Sequence, residues 1–423
     1  MRTLLQDIRY GFRMLLRNPS FTAVAVLTLA LGIGACTAVF SVVNTVLLRP
    51  LPFADSDRLV LVGEINLQKK SGNYPFVSTG FLLDLREQTH FFEKIASVKH
   101  AWFNLTEGEF PERIHGLSVS ANFFQTLGVK PLLGRTFAQG EDQKGKNDVV
   151  VMNHGLWQRR FGRDPNIVGK TIVLSDLSGR YDQACTVIGI MPPSFKFPII
   201  REDCEMWQPH VLKTRDSDEI PSRYRLSIYL NRGLLVIARL KADVTQQQAM
   251  AETRLLAQRL AKEHPDTNEG WTAQVQPLRT QFIFGQSRKP LWALLGVVVF
   301  VLLIACGNVA NMLLARAASR EKETAVRAAV GASRWRLVRQ FLIESLLLAF
   351  LGACLGLLLT HWGIGLLKPL VPARLPLAKD IGVDAWMLGC TLLILVATGV
   401  GFGLAPSWQL SKPKLTEALK EGG

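Results

Sequence analysis

Four long stretches of this chain contain no Lys, Arg, Asp or Glu: Asn18–Leu48, Pro290–Ala315, Ser345–Leu367 and Ala385–Ser411, of 31, 26, 23 and 27 residues. Roughly 20 apolar residues cross a bilayer as helix, so each run is long enough to do so. A soluble fold can hide one such helix, but four would need a core larger than the rest of the 423 residues could wrap. With 48% apolar and 20% charged residues the chain is too apolar for disorder, and its six cysteines are too few for a disulfide-built scaffold. A cleaved secretory signal fits the first run poorly, because the leader before it is long and the apolar stretch outlasts an h-region of roughly 7–15 residues. Ile33-Gly34-Ala35-Cys36 has the form of a lipoprotein cleavage box, yet the uncharged Thr37–Leu48 would be an odd start for a mature lipoprotein.

Cells resist moving positive charge outward, so Lys and Arg in the short segments set orientation. Residues 1–20 hold Arg2, Arg9, Arg13 and Arg17 against Asp7, and Arg316–Glu344 holds seven basic against three acidic residues; both are expected inside. Lys368–Asp384, with Pro369, Pro372 and Pro376, reads as a short outer connection, after which Lys412, Lys414 and Lys420 return the tail inside. Leu4, Leu5, Ile8, Phe12, Leu15 and Leu16 recur at helical spacing opposite the arginines, the pattern of a helix lying in the lipid interface. The expected order is therefore an amphipathic interfacial helix over 1–17, spans over 20–48, 290–315, 345–367 and 385–411, an inner loop over 316–344 and an inner tail over 412–423. Residues 49–289 must then form a large external domain. Much of the formal +15 is topological in this arrangement and gives no reason to expect nucleic acid.

The external segment alternates strand-like and helical pieces. Arg58–Ile65 and Asp148–Met152 read as strands, Gly80–Gln88 as a helix, and Lys170–Leu174 with Cys185–Ile190 as an antiparallel pair. Leu234–Leu240 predicts a strand, Thr245 and Gln248 a capping box opening a helix that ends at His264-Pro265, and Trp271–Pro277 the returning strand. That β-α-β unit predicts a mixed α/β domain. Its partner strand near residue 60 predicts that the middle, about 111–221, is an insertion into a discontinuous first subdomain. Cys36, Cys306, Cys354 and Cys390 fall in the spans as small packing residues. Cys185 and Cys204 are external, where thiols oxidise, and a disulfide between them is left open because their separation cannot be read from sequence.

No catalytic chemistry is legible. Gly169-Lys170-Thr171 resembles the end of a phosphate loop, but Gly162 stands seven residues before Gly169 where the motif needs five. Leu177-Ser178-Gly179 is followed by Arg180 and Tyr181 in place of the Gly and Gln of a transporter ATPase signature. The external His, Cys and acidic residues show no metal spacing. The spans hold no charge, only His361 near a helix end, with Asn308 and Asn311 suited to helix-helix hydrogen bonds. Gly352-x-x-x-Gly356 and Gly399-x-x-x-Gly403 allow close helix approach, within one chain or in a dimer. In the inner loop, helical spacing brings Arg316, Arg320, Glu323, Arg327 and Arg334 close to one face, with Gly331 and Ser333 reading as a C-terminal glycine and a new N-cap. Helix, elbow, helix is expected there, either as a solvated basic face or as a docking knob for a cytoplasmic partner.

At this loop a family resemblance becomes specific. Arg320-x-x-Glu323-x-Ala325-Val326-Arg327-x-Ala329-Val330-Gly331-Ala332-Ser333-Arg334, then Gln340-Phe341-Leu342-x-Glu344-Ser345 and Gly352-x-x-x-Gly356, resembles MacB-type ABC transporter permeases of the FtsX superfamily. Arg9-Tyr10-Gly11-x-Arg13-x-Leu15-x-Arg17-Asn18-Pro19, Ala30-Leu31-Gly32-Ile33-Gly34, Phe161-Gly162-x-x-Pro165 and Val187-Ile188-Gly189-Ile190-Met191-Pro192 resemble the branch called acidobacterial duplicated orphan permeases. That branch carries two such units per chain and this sequence ends after one, which leaves open a single unit, a truncated product or a fragment.

The resemblance implies a helical membrane protein of four spans in the bacterial inner membrane, both termini cytoplasmic, with a mixed α/β periplasmic domain between the first two spans. It implies a coupling segment at Arg320, Glu323, Arg327, Gly331 and Arg334 that receives a separate ABC ATPase. ATP is then bound by that partner and the permease needs no cofactor of its own. It implies a dimer with a second or homologous permease copy, and export or extrusion by periplasmic rearrangement. A mechanotransmitter that switches a periplasmic partner such as a cell-wall hydrolase is the alternative on the same fold, and an orphan signalling or scaffold protein is a more distant one. Protease added to intact spheroplasts is expected to cut within 49–289 and to spare 316–344 until the membrane is opened; the opposite pattern overturns the topology.

Overall fold

The computed structural model describes residues 2–44, 51–68, 76–106, 111–175, 182–197, 204–212, 227–279, 288–318, 334–367 and 385–410. They group into a helical unit from both ends of the chain and a second unit that is essentially residues 49–286. In the helical unit α1 (Arg2–Arg17) ends at Asn18 and α2 (Pro19–Val43) begins at once. Proline suits a first helical turn because the N–H it lacks would have no partner there. The joint is pinned by Thr22, whose N–H donates to Asn18 O at 3.1 Å and whose hydroxyl donates to Leu15 O at 2.8 Å.

The second unit is a mixed α/β domain. Its elements are β1 (Leu59–Asn66), β2 (Phe76–Ser78), α3 (Thr79–Gln88), β3 (Phe92–Leu105), β4 (Glu112–Val119), α4 (Phe123–Leu127), β5 (Leu133–Gly134), β6 (Val149–Met152) and α5 (His154–Phe161). There follow β7 (Thr171–Ser175), β8 (Asp182–Ile190), β9 (Met206–Pro209), β10 (Arg232–Leu240), α6 (Gln246–Glu263), α7 (Pro265–Asn268) and β11 (Trp271–Pro277). The strands form one sheet in the order β11-β1-β10-β3-β4-β9-β6-β8-β5, with β2 beside β10 and β7 beside β3 and β8. β1 lies antiparallel to both β10 and β11, so those two run parallel and α6 crosses between them. The Thr245–Gln248 capping box forms in both directions, and α6 buries Ala249, Thr253, Leu256 and Leu260 at helical spacing.

Among the described residues an aromatic cluster joins α4 to β9 through Phe124 and Trp207, and two further apolar cores lie along this sheet. One gathers Val60, Val62, Phe81, Leu85, Val236, Leu256, Leu260 and Val275 from both ends of the segment. The other runs from Phe103 to Met206 through Ile114, Val150, Leu156, Ile172 and Val187. The second core begins earlier than an insertion starting at 111 would, because β3 is a 14-residue strand that serves both: its first half pairs with β10 and its end with β7.

The remaining helices are α8 (Arg288–Ala318), α9 (Arg334–Leu367) and α10 (Ala385–Leu410). Among the described residues three stretches are long and apolar enough to cross a membrane: Pro19–Ser41, Trp292–Ala315 and Leu342–Trp362. The fourth uncharged run forms α10, whose apolar described part is the shorter Leu388–Gly401. α9 starts well before the expected span at 345. Its 34 residues measure about 51 Å, against about 30 Å of hydrocarbon.

The first core encloses an ion pair. Glu64 and Arg232 lie 3.1 Å apart with side chains 3% and 10% exposed. The carboxylate also accepts the Ser78 N–H at 2.6 Å, and the guanidinium donates to Tyr229 O, Thr267 O and Asn268 Oδ1 while lying 3.6 Å from the centre of the Trp271 ring. Burial pushes the Glu64 carboxyl above its ordinary range, opposed first by Arg232 and then by Ser78. Removing one member of such a pair strands a charge, whereas replacing both with apolar groups is close to neutral. Arg232→Leu is therefore expected to cost about 3–5 kcal/mol in thermal or chemical melts, and Glu64→Leu in the same chain to recover most of it. Because a raised carboxyl pKa favours the fold when protonated, the Arg232→Leu loss is largest at neutral pH and shrinks as pH falls toward the ordinary carboxylate range. A loss unchanged with pH would contradict this.

Candidate functional site

In a membrane-spanning unit of this kind the functional geometry is helix packing. On α9, Gly352, Gly356 and Thr360 follow one another at four-residue spacing and meet α2. A Cβ on Gly356 would stand 2.9 Å from Ala30 O and 3.1 Å from Gly34 N; one on Gly34 would stand 3.0 Å from Gly356 O. These neighbours are backbone atoms and cannot turn aside. A Cβ on Gly352 would lie 2.7 Å from Leu29 Cβ. The Thr360 hydroxyl lies 2.9 Å from Gly34 O across the seam and 2.8 Å from Gly356 O within its own helix, serving the contact with a shared hydrogen. Gly34 was part of the family motif in the sequence, but only the structure shows that it faces Gly356. Cys36, on the same helix, is buried in the apolar cluster that Leu29, Ile33, Leu302, Val309, Leu348 and Ala353 share.

Around this seam the other contacts are softer. A Cβ on Gly399 of α10 would meet the flexible end of Leu346, and one on Gly11 of α1 the end of Leu347. Gly403 lies in the same helix beyond the stretch whose packing is described. The Thr37 and Thr391 hydroxyls stand 3.3 Å apart between α2 and α10. The stripe at Gly352 and Gly356 thus meets α2 of its own chain and is not open to a second copy. Gly296, Gly307, Gly389 and Gly401 have no neighbour within 4 Å of a built Cβ.

Arg320, Glu323, Arg327 and Gly331, the expected coupling residues, lie outside the described residues, as does the elbow. Arg334 is the first residue of α9, and Glu344 and Ser345, read from the sequence as the edge of the loop, are buried well inside that helix. In the outer domain the phosphate-loop decoy is spent structurally: the Gly169 N–H donates to Val187 O and the Lys170 ammonium pairs with Asp164. Cys185 and Cys204 are both free, so the open disulfide is not made. Thr186 N bonds Asp148 O at one end of β6 while Asn153, past the other end, bonds Cys204 O. Five residues of strand, roughly 16 Å, separate those points, beyond the reach of a disulfide. Burial pushes the Cys185 thiol up to about 12 and Cys204 up as well.

Comparison with known proteins agrees with this architecture. Residues 22–256 match the MacB-like periplasmic core domain and residues 295–415 the FtsX-like permease C-terminal domain. A probable syringafactin export ATP-binding/permease protein of Pseudomonas syringae pv. tomato is 26% identical over 308 residues, 71% of this chain and 41% of that protein. A macrolide export ATP-binding/permease protein of Salmonella paratyphi A is 24% identical over 347 residues, 79% of this chain and 49% of that one. The matched part thus spans less than half the length of these relatives. The crystal structure of the periplasmic region of MacB from Actinobacillus actinomycetemcomitans is similar at 14% identity, covering 52% of this chain and 89% of that one, with TM-score 0.35.

The seam makes a differential prediction. Gly356→Ala forces α2 and α9 apart and is expected to destabilise the detergent-solubilised protein by about 1–3 kcal/mol, the usual cost of overpacking. Gly296→Ala and Gly307→Ala, which meet open space, are expected to be neutral or to stabilise by up to about 1 kcal/mol through helix propensity. Melting curves that rank the three alike would refute the seam.

Proposed function

Because this chain belongs to the MacB-like permease family with an FtsX-like carboxyl-terminal half, we propose that it is the permease component of an ABC transporter that exports or extrudes a substrate. One combination of observations carries the reading. The two family matches place a periplasmic core domain before an FtsX-like permease half, and α9 runs unbroken from Arg334, at the end of the coupling motif, to Leu367 beside α2. A single rod of this length is suited to carry a push from the inner loop into the span seam.

In this reading α2, α8, α9 and α10 are four spans of the bacterial inner membrane, both termini lie in the cytoplasm, and the sheet domain works in the periplasm. A separate ABC ATPase binds and hydrolyses ATP and docks on Arg320, Glu323, Arg327, Gly331 and Arg334. Support comes from the relatives, whose names join ATP-binding and permease functions and speak of macrolide or syringafactin export. A second permease copy, identical or homologous, completes the transporter, whose motifs resemble those of the acidobacterial duplicated permeases.

The chain purified from its native membrane is expected to bring down an ABC ATPase, and Glu323→Ala with Arg327→Ala to lower the recovered ATPase by about tenfold, equivalent to about 1.4 kcal/mol of docking energy. Recovery of no ABC ATPase would overturn the proposal. Recovery of the ATPase with a periplasmic hydrolase, and no export defect when the chain is deleted, would select the mechanotransmitter instead.

A further inference from the structure

The sheet register joins two histidines that the sequence keeps fifteen residues apart. β3 and β4 pair with Trp102 opposite His115 and His100 opposite Leu117, so His100, Trp102 and His115 share a face. There His115 Nε2 stands 3.4 Å from His100 Nδ1. Two imidazole nitrogens bound to one tetrahedral ion, each about 2.05 Å from it, lie about 3.3 Å apart. The pair already has the spacing that a shared ion would impose, without backbone movement.

The surroundings favour such a use. His115 is 6% exposed and its ring packs 4.7 Å from that of Trp102, which fixes the inner ligand, while His100 is exposed and open to water. Arg113 lies on the same face, its guanidinium held 4.6 Å from the centre of the Trp102 ring. No group of three or more His, Cys, Asp or Glu gathers among the described residues, so two ring nitrogens would be the protein ligands and water would complete the shell. We propose that His100 and His115 form a two-histidine site for a divalent transition ion of the zinc, nickel or copper class, to which neutral imidazole is suited. The site has a mechanical consequence. β10 pairs with β3 as far as Val98 and β7 takes over at Asn104, so among the described strands Lys99–Phe103 are held by β4 alone. An ion shared by His100 and His115 clamps that stretch to its one partner.

The test is titration of the full chain in detergent with zinc chloride by calorimetry, with the melting temperature followed in parallel. One equivalent is expected to bind more tightly than about 1 mM and to raise the melting temperature, and His100→Asn, an exposed position, to weaken binding by about tenfold or more. His90→Asn, also exposed, is the control and is expected to bind as the parent does. Equal affinity in parent and His100→Asn, or no binding in the parent, overturns the site and leaves two rings that share a hydrogen bond.

Discussion

Backbone contact between α2 and α9 at Gly34 and Gly356 determines how the two ends of this chain meet. Within lipid there is no hydrophobic gain in joining two apolar helices, so association rests on close packing and on the few hydrogen bonds that cross the interface. Both are concentrated here. The absence of side chains at Gly34, Gly352 and Gly356 lets the backbones approach, and Thr360 then shares its hydroxyl between the buried carbonyls of Gly34 and Gly356. Once that crossing is fixed, Gly32 falls against Leu302 of α8, so the first span is gripped from two sides.

The same contact gives the length of α9 its meaning. The helix is long enough to extend past the hydrocarbon, and beyond the seam its flank meets α1 near Gly11 through Ile343 and Leu347. The bend at Asn18, locked by Thr22, keeps α1 from drifting away from α2. Two helical arms of the amino-terminal segment therefore rest on one rod that begins in the arginine-rich loop. In the proposed transporter, displacement of Arg334 is a displacement of the whole rod, because nothing in its described sequence breaks the helix.

Much of this was legible in residues whose effect is local. The Thr245–Gln248 capping box, the proline after Asn18, and the apolar runs in Arg58–Ile65 and Asp148–Met152 act within one turn or one strand, and the corresponding elements stand within one or two residues of expectation. What sequence missed depends on register between distant segments. The length of β3, the parallel pairing of β4 with β9, the encounter of Gly34 with Gly356, and the meeting of His100 with His115 leave no local spacing to read. The cysteine pair stayed open for the same reason, since an 18-residue interval says nothing about which end of β6 each thiol occupies. Glu344 marks the end of an uncharged run in sequence, whereas the helix continues through it and buries it.

The outer domain packs several apolar clusters of described residues against one continuous sheet. Apolar packing holds each core as a block, with the Glu64–Arg232 pair inside the first and Arg159 bridging Glu112 and Glu205 at the edge of the second. Separating either block would expose apolar surface at roughly 25 cal/mol per Å². The aromatic cluster of Phe123 and Phe124 on α4 with Phe195 and Trp207 ties α4 to β9, so the sheet holds the cores by packing as well as by its hydrogen bonds. His100 and Trp102 project beside His115 in the stretch of β3 that, among the described strands, only β4 holds, so a ligand bridging the histidines would fasten that stretch to its partner.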